Sequence, residues 1–284
     1  MTSILRADTH VTELIPYLPA KPLPFGIPAT WSHMASTLIS GDKEAVLVDP
    51  PLTIKQGSEL AAWIKHIIPD KTLKTVFITH CHGDHYFALP ELLRHFPQAQ
   101  AVATAGVVKH MDSQAEAETF SAFWQQYFPD QLERPVGLVH ALGKDNKFYL
   151  EDHEMLAVEA GHGDTDDSTF LYVPDLSLVV AGDICYNDMH QWLAESPTEE
   201  LRNSWIAALE KIAALKPATV VAGHKRPGAV DGINNVYATI AYIRAFGEIK
   251  GKSKNAEDLY QGMMERYPHR VNPLILWTAC EWNF

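Results

Sequence analysis

The chain has 284 residues, 46% hydrophobic and 20% charged, which excludes a disordered polymer and allows a full hydrophobic core. Its 35 acidic against 23 basic side chains give a formal net charge of −12 and a pI near 5.6. A surface that acidic repels phosphate backbones and anionic lipids, so neither nucleic acid nor membrane is an expected partner. Three cysteines are too few for a disulfide framework, and no basic head with an apolar segment opens the chain. A soluble, cytoplasmic protein is expected.

In chain order, five prolines between Pro16 and Pro28 predict an irregular entry segment. Residues 34–40 and 44–50 read as two strands joined at Gly41-Asp42. Residues 55–67 read as a helix and 75–80 as a strand running into THCHGDH. A helix to about Phe96 and a short strand at 101–104 follow. Phe120, Phe123, Trp124, Tyr127 and Phe128 recur at helical spacing, an aromatic stripe on one helix that fits a core face or a pocket wall. Residues 154–160, 168–173 and 176–183 read as strands, the last two turning at Asp175. Ser196, Pro197 and Glu199 predict a helix start with Ser196 as cap. Residues 218–224 read as a further strand, and 233–249 and 256–267 as helices. Strand groups and helices alternate in both halves without a linker. One α/β domain over 1–284 is expected: two packed sheets flanked by helices, with 225–284 as a helical extension.

Metal-competent side chains recur where apolar strands stop. His80, His82, Asp84 and His85 follow TVFIT, His162 follows EMLAVEAG, Asp183 follows LSLVVAG, and His224 follows ATVVAG. Strand ends on one rim of a sheet are rigid, so distant side chains can converge there. Imidazole and carboxylate are suitable zinc donors, and seven of them suffice for two ions.

HCHGDH resembles the HxHxDH signature of the metallo-β-lactamase superfamily. Gly161-His162, Gly182-Asp183 and Gly223-His224 resemble its later motifs in order, and Asp49 resembles the aspartate preceding the signature. The resemblance implies an αββα sandwich with two Zn2+ ions per chain. His80, His82 and His162 would hold one ion, Asp84, His85 and His224 the other, and Asp183 would bridge them. Asp49 would orient a ligand from behind. It further implies a hydrolase in which a water shared by two ions, its pKa lowered to about 7, attacks a carbonyl, with Asp84 or Asp183 passing a proton.

Tyr186, three residues beyond Asp183, is similar to the tyrosine of lactonases in that superfamily and would polarise a carbonyl. His190, Trp192 and Trp31 are candidate substrate contacts. Cys185 reads as a small buried residue. Asp164, Asp166 and Asp167 read either as solvated turn residues or as a rim that disfavours anions. The expected substrate is a small cyclic ester or amide. The alternatives are a thioesterase of glyoxalase II type, which needs clustered basic residues at the pocket mouth, and a metal-binding scaffold without turnover.

Overall fold

The computed structural model describes residues 4–284. One sheet orders its strands Arg6–Val11, Ala35–Ser40, Glu44–Val48, Thr72–Phe77, Gln100–Ala103 and Val139–Ala141. The first two pairings are antiparallel and the rest parallel. The other sheet runs Thr219–Val221, Leu178–Val180, Ser168–Val173, His153–Gly161 and Lys147–Leu150, with only the first pair parallel. Val46, Val48 and Phe77 from the first sheet share one buried cluster with Met155, Leu171, Val173, Val180 and Val221 from the second. The Phe77 and Phe148 rings stack at 5.8 Å across this layer. Residues alternating with these, among them Ala45, Leu47, Phe170, Val179 and Val220, pack toward the helices. Each central strand is therefore apolar on both faces, as a layer with helices outside demands. This is the αββα sandwich the sequence predicts.

Helix Ile54–Ile67 begins at a capping box, Thr53 accepting from the Gln56 amide while the Gln56 side chain accepts from Thr53, and buries Leu60, Ala61 and Ile64. Helix Glu199–Ala214 is capped by Thr198, not Ser196. Ser196 is withdrawn because its hydroxyl faces His162. Helices Asn234–Lys250, Ala256–Arg266 and Pro273–Trp282 complete the C-terminal part. The last of these falls within the expected helical extension without a helix signal of its own, since its run PLILWTAC is apolar all round and carries no helical period. Strands Arg6–Val11, Val139–Ala141 and Lys147–Leu150 likewise carry no clear sequence signal, being short or rich in charge. The aromatic stripe does not lie on one regular helix. A π-helical turn at Phe120–Trp124 separates Ala117–Thr119 from Gln125–Tyr127. Among the described residues, no helix is long and apolar enough to cross a membrane.

At one rim of the sandwich the loops after the strands are sewn together by backbone hydrogen bonds. The Thr169 amide donates to the Thr79 carbonyl at 2.9 Å, Gly223 to Gly182 at 2.8 Å, and Ala35 to Gly223 at 2.8 Å. Chain segments far apart in sequence are thereby fixed against one another.

Candidate metal centre and its cavity

Four imidazoles meet at this rim, and each has one ring nitrogen committed and the other turned inward. His80 Nδ1 lies 3.0 Å from Thr79 Oγ1, whose hydroxyl donates to Asp49 at 2.6 Å. His85 Nδ1 is 3.1 Å from Asp49 Oδ2, His224 Nδ1 is 2.6 Å from the His33 carbonyl, and His82 Nε2 is 2.8 Å from Glu195 Oε1. With those nitrogens so engaged, Nε2 of His80, His85 and His224, and Nδ1 of His82, face the cluster, and each is a lone pair whenever its ring is neutral. Asp49 holds its position at a backbone φ of 55°, a left-handed conformation at the end of strand Glu44–Val48. The Thr79 amide and the Ser36 hydroxyl anchor it.

Carboxylates stand opposite these nitrogens. Asp183 lies 3.2 Å from His85 Nε2 and 3.1 Å from His224 Nε2, and Asp84 is 3.5 Å from His224 Nε2. Asp164 sits 2.9 Å from His82 Nδ1 and 3.9 Å from His80 Nε2. Ligand atoms of His80, His82, Asp164 and Asp183 fall within 4.8 Å of one another, as do those of Asp84, His85 and His224. His80 Nε2, both oxygens of Asp164 and Asp183 Oδ1 are buried without a formed hydrogen bond. Buried polar atoms are ordinarily paired, so orphans of this type clustered together fit a cation.

Electrostatics agrees with the geometry. Burial pushes the Asp164 carboxyl up to about 6, His82 offsetting part of this and Asp183 adding to it. Burial opposes a charge on His82, yet Asp164 and Glu195 outweigh it and hold the ring well above the ordinary histidine range. His224, against the same desolvation, is raised to about 10 by Asp183 and Asp84. Protonated imidazoles thus serve as counterions to carboxylates that a metal would otherwise neutralise.

The sequence-predicted residues divide. His80, His82, Asp84, His85, Asp183 and His224 are brought together, with Asp49 behind His80 and His85. His162 is not with them. Its Nδ1 is 2.7 Å from Asp166 and its Nε2 2.9 Å from Ser196 Oγ. The strand ends with a register shift between Glu159 and Gly161 and with Gly161 at φ 92°, and the chain then bends at residues 163–165, so His162 and Asp164 face different partners. Asp164, two residues on, occupies the place next to His80 and His82. Of the acidic trio, only Asp166 and Asp167 are exposed turn residues, and Asp164 is fully buried. Asp164 is visible in the sequence as a residue of the same turn. Glu195 carries no signal, since it belongs to an irregular stretch before a helix.

Tyr186 donates to Asp183 Oδ2 at 2.7 Å and stacks on His224 at 5.5 Å. Burial and the Asp183 charge keep its phenol well above the ordinary tyrosine range, hence protonated. Cys185 points instead toward Thr239, 3.8 Å away. Gly223 admits no side chain, because a Cβ there would stand 2.1 Å from Asp183 Oδ1.

A cavity of about 210 Å³ opens over the cluster, lined by Asp84, Asp164, Asp183, His82 and His224 below and by Trp31, Trp124 and Trp192 among its walls. Trp31 Nε1 donates to Asp84 at 2.9 Å. His190, expected as a substrate contact, is elsewhere: fully buried, its Nδ1 is 2.8 Å from the Tyr242 hydroxyl and its amide bonds Val271. The loop folds inward there because helix Asn234–Lys250 offers that partner.

A profile of the metallo-beta-lactamase superfamily matches residues 29–224. The chain is 38% identical over 69 residues to an atrochrysone carboxyl ACP thioesterase of Aspergillus chevalieri, covering 22% of this chain and 20% of that one. It is 29% identical over 127 residues to ribonuclease Z of Pyrococcus horikoshii, covering 40% and 39%. It thus spans less than half the length of either relative. A metallo-beta-lactamase family protein from Thermus thermophilus superposes with a TM-score of 0.62 at 17% identity, covering 94% of this chain and 91% of that one, a likeness of fold. The chain belongs to the metallo-beta-lactamase superfamily, a superfamily of metal-dependent hydrolases.

Proposed function

We propose that this protein is a zinc-dependent hydrolase of a small carbonyl substrate, a cyclic ester first and a cyclic amide by the same chemistry. His80, His82, Asp164 and Asp183 would hold one ion, and Asp84, His85 and His224 a second that Asp183 also reaches. The observation that carries this reading is the set of four imidazoles, each turning one nitrogen toward Asp84, Asp164 or Asp183, with oxygens of Asp164 and Asp183 buried without a hydrogen bond beside a cavity. Divalent ions there would supply Lewis acidity toward a carbonyl oxygen and lower the pKa of a water to about 7.

The chain's own groups complete the chemistry. Tyr186 keeps its proton, so once Asp183 is engaged elsewhere the phenol can donate to a carbonyl oxygen as negative charge develops. Asp84, fixed by the Trp31 indole and lining the cavity, accepts a proton and returns it to the leaving group. Although burial opposes its charge, the hydrogen bond from His224 and the charge on His85 keep it ionised. Glu195 grips His82 from behind, and Asp49 does the same for His85.

A thioester is the second reading, supported by the partial match to the thioesterase. The glyoxalase II form of it is disfavoured, since the residues lining the cavity include no lysine or arginine for an anionic glutathione moiety. The same lining disfavours a phosphodiester. The test is metal analysis of the purified protein, then turnover of lactones, lactams and thioesters with and without chelator. Chelator-sensitive lactone hydrolysis, lost in His82→Ala and Asp183→Ala variants that still fold, is the expected result. Hydrolysis of thioesters alone would replace the first reading by the second. Metal uptake without any turnover would leave a binding scaffold.

A further inference from the structure

The walls of the cavity carry information that the metal cluster does not. Trp31, Phe123, Trp124, Trp192 and Trp282 all line it, with Ile275 beside them. They form two groups. Trp31 meets Trp124 edge-on at 6.1 Å, and Phe123 meets Trp124 at 5.2 Å. Trp192 packs on Trp282 at 5.5 Å and stands 6.3 Å from the His82 ring. The indole N–H groups of the inner three are already committed: Trp31 to Asp84, Trp124 to Gln114 at 3.2 Å, and Trp192 to Glu195 at 3.2 Å. What these rings offer a ligand is carbon surface in a fixed orientation.

The π-helical turn at Phe120–Trp124 has a part in this. A wide turn lets two consecutive aromatics, Phe123 and Trp124, reach the same cavity. Ile275 and Trp282 come from helix Pro273–Trp282, outside the stretch that the superfamily profile matches. The wall is thus built from both parts of the chain, Trp31, Phe123, Trp124 and Trp192 within the matched stretch and Ile275 and Trp282 beyond it.

Charge points the same way. Asp84, Asp164, Asp183 and Glu195 line the cavity, and among its lining residues no lysine or arginine answers them. Their four negative charges cancel those of two divalent cations, so no positive potential remains to hold an anionic substituent.

We infer that the hydrolysed substrate is uncharged and carries a planar aromatic or conjugated ring, which the tryptophan walls grip while its carbonyl rests over the cluster. This rests on the hydrolase reading above and narrows it to a substrate class. A carboxylated lactam or a glutathione conjugate has no counter-charge here, and an aliphatic ring forgoes the stacking.

The test compares three matched neutral or charged lactones on the metal-loaded enzyme: phenyl-substituted, cyclohexyl-substituted and 4-carboxyphenyl-substituted. The phenyl compound should exceed each of the others about tenfold in kcat/KM, chiefly through KM. In Trp282→Ala, a change at a half-exposed mouth residue, the phenyl-to-cyclohexyl ratio should fall several-fold, which a general loss of fold would not produce. Equal rates for phenyl and cyclohexyl compounds, or preference for the carboxylate, would overturn the inference. If no lactone turns over, the cyclic-ester reading fails, and binding then decides this point separately. Phenyl and cyclohexyl methyl ketones are titrated against tryptophan fluorescence, and tighter phenyl binding supports the aromatic class while equal binding ends it.

Discussion

Asp164 and His162 make opposite predictions about metal binding. Asp164→Asn keeps the side-chain volume but removes an anionic donor from beside His80 and His82. His162→Ala removes an imidazole that touches only Asp166 and Ser196 among the described contacts. Loss of a group that merely orients a ligand weakens metal affinity 10–100-fold, so loss of a donor should cost at least about 100-fold. By linkage that is about 2.7 kcal/mol of metal-derived stabilisation at saturating zinc. For a 284-residue chain, an unfolding entropy of about 0.6 kcal/mol/K converts this to roughly 5 °C of Tm.

The metal-free protein responds differently. Without a cation, burial raises Asp164 from 3.8 to about 6. A carboxyl whose folded pKa is raised destabilises the fold increasingly from pH 3.8 to about 6 and fully above that. Asn at this position should relieve up to about 3 kcal/mol at neutral pH, His82 keeping Glu195 as its partner. Thermal unfolding with excess zinc and with chelator, on wild type and both variants, reads the two effects. Asp164→Asn should shrink the zinc-induced shift by about 5 °C without lowering the chelated Tm. His162→Ala should lower both Tm values alike. A zinc-induced shift lost in His162→Ala and kept in Asp164→Asn would refute the donor assignment.

Glu195→Ala should weaken zinc binding 10–100-fold, with Glu195→Gln recovering most of it through the His82 contact; a competitive chelator titration measures this. Gly223→Ala forces a methyl against Asp183 and should abolish zinc uptake or cost more than about 2 kcal/mol of stability, measured by metal content and denaturant melts. His190 is lowered to about 3 by burial and then by Arg270, so its contribution is intact above pH 6.5 and is lost as pH falls from there toward 3. Between pH 7 and pH 5 wild type should lose about 2 kcal/mol that His190→Asn does not, read as the difference between their urea midpoints. Parallel pH dependences would show that His190 is not buried neutral.

Much of the scaffold follows from local patterning. Apolar runs at 44–50, 75–80 and 168–173 bounded by turn residues define central strands whatever surrounds them, because only a doubly covered sheet accommodates them. Where that signal is weak, as in the charged edge strand Arg6–Val11 or the wholly apolar helix Pro273–Trp282, the element depends on neighbours for its identity. The same division runs through the site. His80, His82, Asp84 and His85 lie within six residues, and their grouping needs no tertiary information.

The third donor to the first group is not fixed in that way. His162 and Asp164 are two residues apart in one turn, and imidazole and carboxylate are both competent ligands. A register shift at the strand end and a bend at residues 163–165 between them leave Asp164 inward and His162 outside, and this path is held by strand pairing and by the Thr169–Thr79 hydrogen bond across the rim. Glu195, His190 and Trp282 are likewise placed by contacts across the chain. Residue order alone is enough to gather metal-competent side chains at the strand ends of a two-sheet sandwich. Which of them point at one another, and what surface encloses them, emerges only on folding, because side-chain direction depends on pairing register and on helices distant in the chain.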